Sequence, residues 1–223
     1  MSIPTGHWPG FVARVATPAT PEQLAADIAE GWQVVVGGEI PGGCLLACLA
    51  QIMLETGTRQ VDRDKDGDID EADQAAGFWN GNAGNVRGTY EHEGQRIWTS
   101  FRAGEGFGAN EVMLEPGPAN RFRSYVGPKE DATDPDVRRT AIRRGVRDFL
   151  SLLARKYRPA LDAAEKRDYH GYVVALARGG YFTANPEVYA RTEAKLMATV
   201  EQLEIVRAHL ADTDPAPPPE SAA

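Results

Sequence analysis

The apolar and polar positions of the chain centre on one long apolar run, from Cys44 to Leu54, in which Gln51 is the only polar side chain. A helix that is apolar on nearly every side is buried on nearly every side, so this run predicts a central core helix. The run ends at Glu55, which such a helix brings to the edge of the core. Because burial disfavours the charged form of a carboxyl group, we expect a raised pKa for Glu55. The plain alternative is a helix-end glutamate that points to water.

Helix start and stop signals divide the rest of the chain. Capping residues followed by proline begin helices, and paired glycines end them. These signals are Thr20-Pro21 before a first helix, Asp134-Pro135 before a second helical half that Arg158-Pro159 interrupts, a helix over about 168–178 that ends at Gly179-Gly180, and Asn185-Pro186 before a last long helix to about Leu210. Short runs between glycines and prolines over about 87–125 predict two or three strands. The expected fold is mainly α (α+β), a helical domain with a small β-hairpin lobe.

The composition narrows the classes of function. The 223 residues carry a formal net charge of -8 and a pI of about 5.1, which argues against nucleic-acid or membrane-surface binding. A basic helical stripe, Arg139, Arg143 and Arg147, keeps nucleic acid as an alternative, although such stripes are usually solvated or salt-bridged. No apolar tract approaches the length needed to span a bilayer, so we expect no membrane insertion.

The termini and the two cysteines carry little chemistry. The first 15 residues lack the basic start and apolar core of a secretory signal, so we expect no Sec-type address, or one that has been removed. Cys44 and Cys48 lie four positions apart and are expected to be small buried thiols. The chain divides into an N-terminal extension with the first helix (1–40), a main domain (41–211) and a Pro-rich tail expected to be disordered (212–223).

A segment with aspartates at alternate positions follows the core helix. Asp62-Arg63-Asp64-Lys65-Asp66-Gly67-Asp68-Ile69-Asp70-Glu71-Ala72-Asp73 fits the twelve-residue EF-hand loop. The predicted calcium ligands are the side chains of Asp62, Asp64, Asp66, Asp70 and Asp73 and the backbone carbonyl of Asp68. Like charges at alternate positions repel one another without a cation, which argues against a merely solvated loop.

The loop over 62–73 has features that favour a structural calcium ion. It is a single loop, whereas calcium sensors usually pair two. Asp73 stands at position twelve, where glutamate is usual, and its shorter side chain is expected to weaken affinity or selectivity against magnesium. The loop contains no histidine or cysteine, which argues against zinc.

Four segments, in this order, resemble the glucosaminidase family of peptidoglycan hydrolases (glycoside hydrolase family 73). They are 49–57 (LAQIMLETG), which resembles a helix ending A-Q-x-x-L-E-[ST]-G; 85–88 (NVRG), which resembles an N-L-F-G turn; 121–125 with 145–150, which resemble an F-R-x-Y segment and the next helix; and 180–190 (GYFTANPEVYA), which resembles G-Y-A-T-D-P-x-Y-A. The resemblance covers about 40–197 and implies a lysozyme-like domain that cleaves β-1,4 glycosidic bonds of peptidoglycan glycan strands.

The resemblance also implies roles for individual residues. It places the general acid at Glu55, a role that suits a carboxyl kept protonated by burial. It places the second carboxylate at Glu91, in Thr89-Tyr90-Glu91, with Glu93 as the fallback on the same strand face. The implied substrate-binding residues are Tyr181, Asn85, Tyr90 and Trp79, although each of the aromatic side chains is alternatively a core residue.

Three departures from the family pattern keep other functions open. Thr58-Arg59 stands where W-G is frequent, Arg87 replaces an aromatic residue, and the calcium loop is an insertion. The alternatives are muramidase or lytic transglycosylase chemistry on the same strand, or a calcium-stabilised wall-binding domain without turnover. Without a signal peptide, the expected setting is the periplasm or cell wall, reached as a phage lysin, a virion or phage-tail component, or an effector carried by an export machinery.

Overall fold

One buried helix organises the fold. The computed structural model describes residues 8–56, 79–100, 103–105, 112–182 and 185–212. In these ranges the helices are α1 (Pro21–Val35), α2 (Gly42–Thr56), α3 (Pro135–Lys156), α4 (Arg158–Glu165), α5 (Tyr169–Arg178), α6 (Pro186–Val200) and α7 (Glu204–Asp212). Every residue of α2 from 42 to 53 is buried, and α1, α4, α6 and α7 pack around it. The buried helix predicted from the apolar run is confirmed.

Two glycines let neighbouring backbones approach the start of α2. A Cβ on Gly42 would lie 2.6 Å from the carbonyl oxygen of His209, and one on Gly43 would lie 2.1 Å from that of Ala164. Both cysteines are buried free thiols, and burial raises the pKa of Cys44 to about 12. A thiol of that pKa is unreactive, as expected for a packing residue.

The first helix begins with the predicted capping box and pairs with α3. The Thr20 hydroxyl accepts from the Gln23 backbone at 3.2 Å, and the Gln23 side chain accepts from the Thr20 backbone at 3.1 Å. Ion pairs join α3 to α1: Arg139 to Asp27 at 2.8 Å, Arg143 to Asp27 at 3.2 Å and Arg147 to Glu30 at 2.7 Å. The basic stripe is therefore engaged within the fold.

The β lobe contains short antiparallel strands. They are β1 (Tyr90–His92), β2 (Gln95–Thr99), β3 (Ala103–Glu105), β4 (Val112–Leu114) and β5 (Phe122–Arg123), in a sheet ordered β1-β2-β5 and a separate β3-β4 hairpin. Residues 8–16 lie along this lobe, where the Val12 backbone donates to the Trp98 carbonyl at 2.8 Å. The mainly helical fold with a small β lobe is confirmed, with more strands than the two or three predicted.

The predicted last long helix is wrong in one respect, because it is two helices. α6 ends at Val200 and α7 begins at Glu204, with a turn between them in which Leu203 is buried. The turn directs α7 back onto the start of α2, beside Gly42. No glycine or proline marks this break in the sequence, so helix-stop signals do not find it.

Some predicted elements lie outside the described residues. These are the calcium loop over 62–73 and the tail from 213. Among the helices that the structure describes, none combines the length and the apolar character that crossing a bilayer requires.

Candidate active site

The carboxyl group of Glu55 lies half-buried at the end of α2, as the apolar run predicts. Three side chains donate to it: the Tyr189 hydroxyl to Oε1 at 2.6 Å, Gln51 Nε2 to Oε1 at 3.1 Å and Asn85 Nδ2 to Oε2 at 3.5 Å. Burial raises the pKa of Glu55, and the three donors oppose this by favouring the carboxylate. The net direction is upward, so the predicted raised pKa is confirmed.

Each donor reaches Glu55 from a different part of the chain. Gln51 stands one helical turn earlier on α2 and also donates to the Tyr189 hydroxyl. Tyr189 stands in the first turns of α6, a helix that Asn185 caps by accepting from the Glu187 backbone at 2.9 Å. The Tyr189 hydroxyl therefore accepts from one neighbour and donates to the other, which fixes the direction of its proton.

Asn85 joins the loop after Trp79 to the end of α2. Its Nδ2 donates to the backbone carbonyl of Glu55, one of the carbonyls that a helix end leaves without an intrahelical partner. Asn85 has a φ of +47°, a left-handed conformation that asparagine tolerates better than most residues. Asn82 supports the loop by accepting from the Val86 backbone at 2.7 Å and donating to its carbonyl at 3.0 Å. This loop therefore holds Glu55 in place through the side chain of Asn85.

Tyr181 supports the same loop from below. Its hydroxyl donates to the carbonyl of Gly84 at 3.0 Å, and its ring packs edge-on against Tyr157 and Phe149. A Cβ on Gly84 would lie 2.4 Å from the Phe149 ring, so the glycine permits this close approach. Tyr181 is thus half-buried against the core next to the site, and its binding of substrate stays a prediction.

The other candidate residues have described contacts with residues other than Glu55. Glu91 is exposed on β1, opposite Arg96, and none of the contacts that the structure describes joins it to Glu55. Tyr90 faces the other way and packs on Tyr125 with ring centroids 4.6 Å apart. The guanidinium of Arg14 lies 4.2 Å from the Trp79 ring centroid, over that ring.

Glu93 does not share the strand face of Glu91, so that expectation is wrong. β1 ends at His92, and Glu93 lies in the hairpin turn with a φ of +49°, followed by Gly94 with a φ of +75°. Consecutive left-handed residues of this kind form the tight turns that match the twist of antiparallel strands. Side-chain alternation therefore stops one residue before Glu93.

The predicted calcium ligands are outside the described part of the chain. They are Asp62, Asp64, Asp66, Asp68, Asp70 and Asp73. Within the described ranges, no group of three or more His, Cys, Asp or Glu side chains is arranged to hold a metal ion.

Comparison with known proteins adds a distant likeness in fold. No protein-family model matches the chain, and no curated protein matches it. Among solved structures, it is similar to the crystal structure of a peptidoglycan hydrolase mutant from Sphingomonas sp. A1, with a TM-score of 0.46 and 23% sequence identity over 87% of this chain and 96% of that chain. A likeness of this size assigns no activity to the present chain.

Sequence reasoning missed side chains that complete the site. Tyr189 lies within the segment 180–190 and Gln51 is the polar residue of the apolar run, but neither is predicted from sequence to contact Glu55. Phe182 stacks on Tyr189, with ring centroids 3.8 Å apart and planes 9° apart. The spacing of Gln51 and Glu55, one helical turn, is the signal that could have paired them.

Glu193 is the least expected member of this region. It is fully buried on α6, one turn after Tyr189, and neither carboxyl oxygen has a hydrogen-bond partner among the described residues. Burial raises the pKa of Glu193 well above its ordinary value, and the nearby Glu55 raises it further. Glu193 is therefore a weaker acid than an ordinary glutamate, and the region holds two carboxyl groups with raised pKa values.

Proposed function

We propose that this chain is a glycoside hydrolase that cleaves β-1,4 bonds of the peptidoglycan glycan strand, with Glu55 as the general acid. The observation that carries the proposal is the half-buried Glu55 carboxyl, which has a raised pKa and three donors around it. The order of the four sequence segments supports the choice of substrate. That substrate places the action of the enzyme at the bacterial cell wall.

The arrangement suits both halves of general acid catalysis. A protonated Glu55 donates its proton to the glycosidic oxygen as the bond from that oxygen to the anomeric carbon breaks. The carboxylate that remains accepts hydrogen bonds from Tyr189, Gln51 and Asn85, which are already in place. Donors that are positioned before charge develops stabilise the transition state without reorganisation. A water molecule then completes hydrolysis at the anomeric carbon.

We propose Glu91 as the second carboxylate. It stands on the solvent face of β1, where it is free to activate a water molecule or to stabilise positive charge on the sugar. Glu91→Gln tests this role separately from that of Glu55. Loss of turnover with unchanged folding supports it, and full activity removes Glu91 from the mechanism.

Replacing Glu55 with glutamine is expected to lower hydrolysis of purified peptidoglycan by at least about 100-fold, the usual contribution of a general acid. Glutamine keeps the shape of the side chain and removes its proton-donating group. The measurement is mass analysis of the muropeptides that each protein releases. Glu39→Gln, the same change at an exposed site between α1 and α2, is the matched control.

The released ends distinguish the alternatives. Reducing-end N-acetylglucosamine supports the proposed bond, reducing-end N-acetylmuramic acid indicates a muramidase, and a 1,6-anhydro end indicates lytic transglycosylase chemistry. If the wild type and Glu55→Gln act equally on the wall, Glu55 is not the acid. If neither acts but the wild type binds peptidoglycan, the chain is a wall-binding domain.

We also propose that segment 62–73 binds a structural calcium ion. Its support is the sequence match to the EF-hand loop, which lies between two described segments, one ending at Thr56, the last residue of α2, and the other beginning at Trp79. The ion would tie these ends together, and Glu55 would carry out the chemistry.

Calcium is expected to raise the melting temperature by several degrees, because a ligand at about 100 times its Kd stabilises a protein by about 2.7 kcal/mol. Differential scanning fluorimetry with calcium, magnesium or chelator measures this. The double variant Asp62→Asn, Asp66→Asn serves as the control that should lose the response. Unchanged melting with chelator, together with no metal by elemental analysis, would remove the calcium proposal.

A further inference from the structure

The stacked pair of Phe182 and Tyr189 lies against the carboxyl group of the proposed acid. Phe182 follows α5, and its ring lies parallel to that of Tyr189, with a centroid distance of 3.8 Å and an angle of 9° between planes. The Tyr189 hydroxyl donates to Glu55 Oε1 at 2.6 Å and accepts from Gln51. One aromatic contact therefore stands next to the shortest side-chain hydrogen bond that Glu55 Oε1 receives.

The plane of a tyrosine ring controls the direction of its proton. Conjugation of the phenol oxygen with the ring keeps the O–H bond in the ring plane, so turning the ring turns the bond. A parallel neighbour at stacking distance resists that rotation, and aromatic pairs contribute about 0.5–1.5 kcal/mol beyond burial. Phe182 thereby holds the Tyr189 O–H bond toward Glu55 and the hydroxyl lone pair toward Gln51.

We propose that Phe182 is a positioning residue that acts on Glu55 through Tyr189. This proposal rests on the proposed function, because it explains how the Tyr189 hydroxyl, one of the donors to the general acid, stays oriented toward Glu55. The Phe182 ring carries no hydrogen-bonding group and is only half-buried at the edge of the core, so we assign its contribution to the site to the orientation of Tyr189.

This role of Phe182 predicts the direction in which the pH profile of activity shifts when the ring is removed. Tyr189 lowers the pKa of Glu55 by hydrogen-bonding its charged form, against the larger upward effect of burial. Misdirecting the hydroxyl therefore raises the pKa of Glu55 further and moves the alkaline limb of activity to higher pH. Among the described residues, the other titratable groups that interact with Glu55 are Tyr181 and Glu193, and burial raises the pKa of both.

The test compares four variants with the wild type. Phe182→Leu removes the ring and keeps an apolar side chain, Phe182→Trp restores a stacking ring, Tyr189→Phe removes the hydroxyl, and Phe182→Leu with Tyr189→Phe completes a double-mutant cycle. We expect kcat to fall about fivefold in Phe182→Leu, the rate equivalent of one aromatic contact, with KM nearly unchanged. We expect Phe182→Trp to recover most of this loss.

The double variant separates positioning from direct action. If Phe182 acts through Tyr189, adding Phe182→Leu to Tyr189→Phe has little further effect on kcat or on the alkaline limb. If the two substitutions lower kcat additively, or if Phe182→Leu only raises KM, Phe182 contacts the substrate and the proposal is overturned. An unchanged pH profile in Phe182→Leu would overturn it as well.

A measurement without substrate keeps the two proposals apart. The carboxyl carbon of Glu55, assigned by its absence in Glu55→Gln, is titrated by 13C NMR in the wild type and in Phe182→Leu. A higher titration midpoint in Phe182→Leu supports positioning even if no wall hydrolysis is found, in which case only the proposed function fails. Equal midpoints in two folded proteins reject positioning even if Glu55 is the acid.

Discussion

Replacing Glu193 with methionine is expected to raise the free energy of unfolding at pH 7 by about 2 kcal/mol, the cost of a buried polar group without partners. Glu193 is fully buried, and its carboxyl oxygens have no partners among the described residues. Methionine has a similar length, favours helices and needs no hydrogen bond. Most substitutions in a core destabilise a protein, so a gain at a buried site is a distinctive result.

The pH dependence of stability identifies the carboxyl group itself. The folded state holds the Glu193 proton above the ordinary pKa of 4.5, whereas the unfolded chain releases it there. The folded state then binds more protons than the unfolded state, so stability falls as pH rises from about 4.5 toward the folded pKa. Glu193→Gln keeps a buried polar side chain but removes this fall.

Urea unfolding between pH 4 and pH 8 measures both effects. Glu193→Met should be more stable than the wild type at pH 7, and both Glu193 variants should show a flatter pH dependence. Glu39→Gln, an exposed control, should show the wild-type dependence. A less stable Glu193→Met protein, or an unchanged pH dependence, would mean that Glu193 is ionised and paired with a group outside the described residues.

Replacing Gly145 with alanine is expected to lower the free energy of unfolding by about 3 kcal/mol, at the upper end of overpacking effects. A Cβ at Gly145 would lie 1.7 Å from the carbonyl oxygen of Gly81. That oxygen belongs to the backbone of the loop that carries Asn85, so relief requires the loop to move. Glycine to alanine inside an exposed helix normally stabilises by about 0.5–1 kcal/mol, so the opposite sign reports the contact.

The same substitution is expected to lower activity at temperatures where the variant remains folded, because Asn85 moves with the loop. Thermal unfolding and muropeptide release, measured on one preparation, test both parts. Gly117→Ala is the matched control, since no atom lies within 4 Å of its added Cβ. A Gly145→Ala protein with wild-type stability would show that the loop adjusts freely and that Asn85 is not held by this contact.

The half-buried position of Glu55 could be predicted from sequence, because the features that determine it are local. A nearly uninterrupted apolar run makes α2 a buried helix, and Glu55 follows that run directly. The effect of burial on a carboxyl group then gives the direction of its pKa. The helix caps at Thr20 and Asn185 were readable for the same reason, since each depends on neighbours within one turn.

The partners of Glu55 could not be predicted in this way. Tyr189 lies 134 positions further along the chain, and only the packing of α6 on α2 brings the two together. Glu193 looks like an ordinary polar position in its helix, and burial on that side depends on α2 and α5. Glu93 was misplaced because alternation along a strand says nothing about where the strand ends.

The hydrogen bond from Asn85 to the Glu55 backbone joins two parts of the chain that are 30 positions apart. It fastens together the two ends between which residues 57–78 run, since Thr56 closes α2 and Trp79 opens the loop that carries Asn85. Among the described residues, this bond therefore links the end of α2 directly to the loop that carries Asn85. A change in the loop around Asn85 is therefore expected to move the backbone of Glu55 together with one of the donors to its carboxyl group.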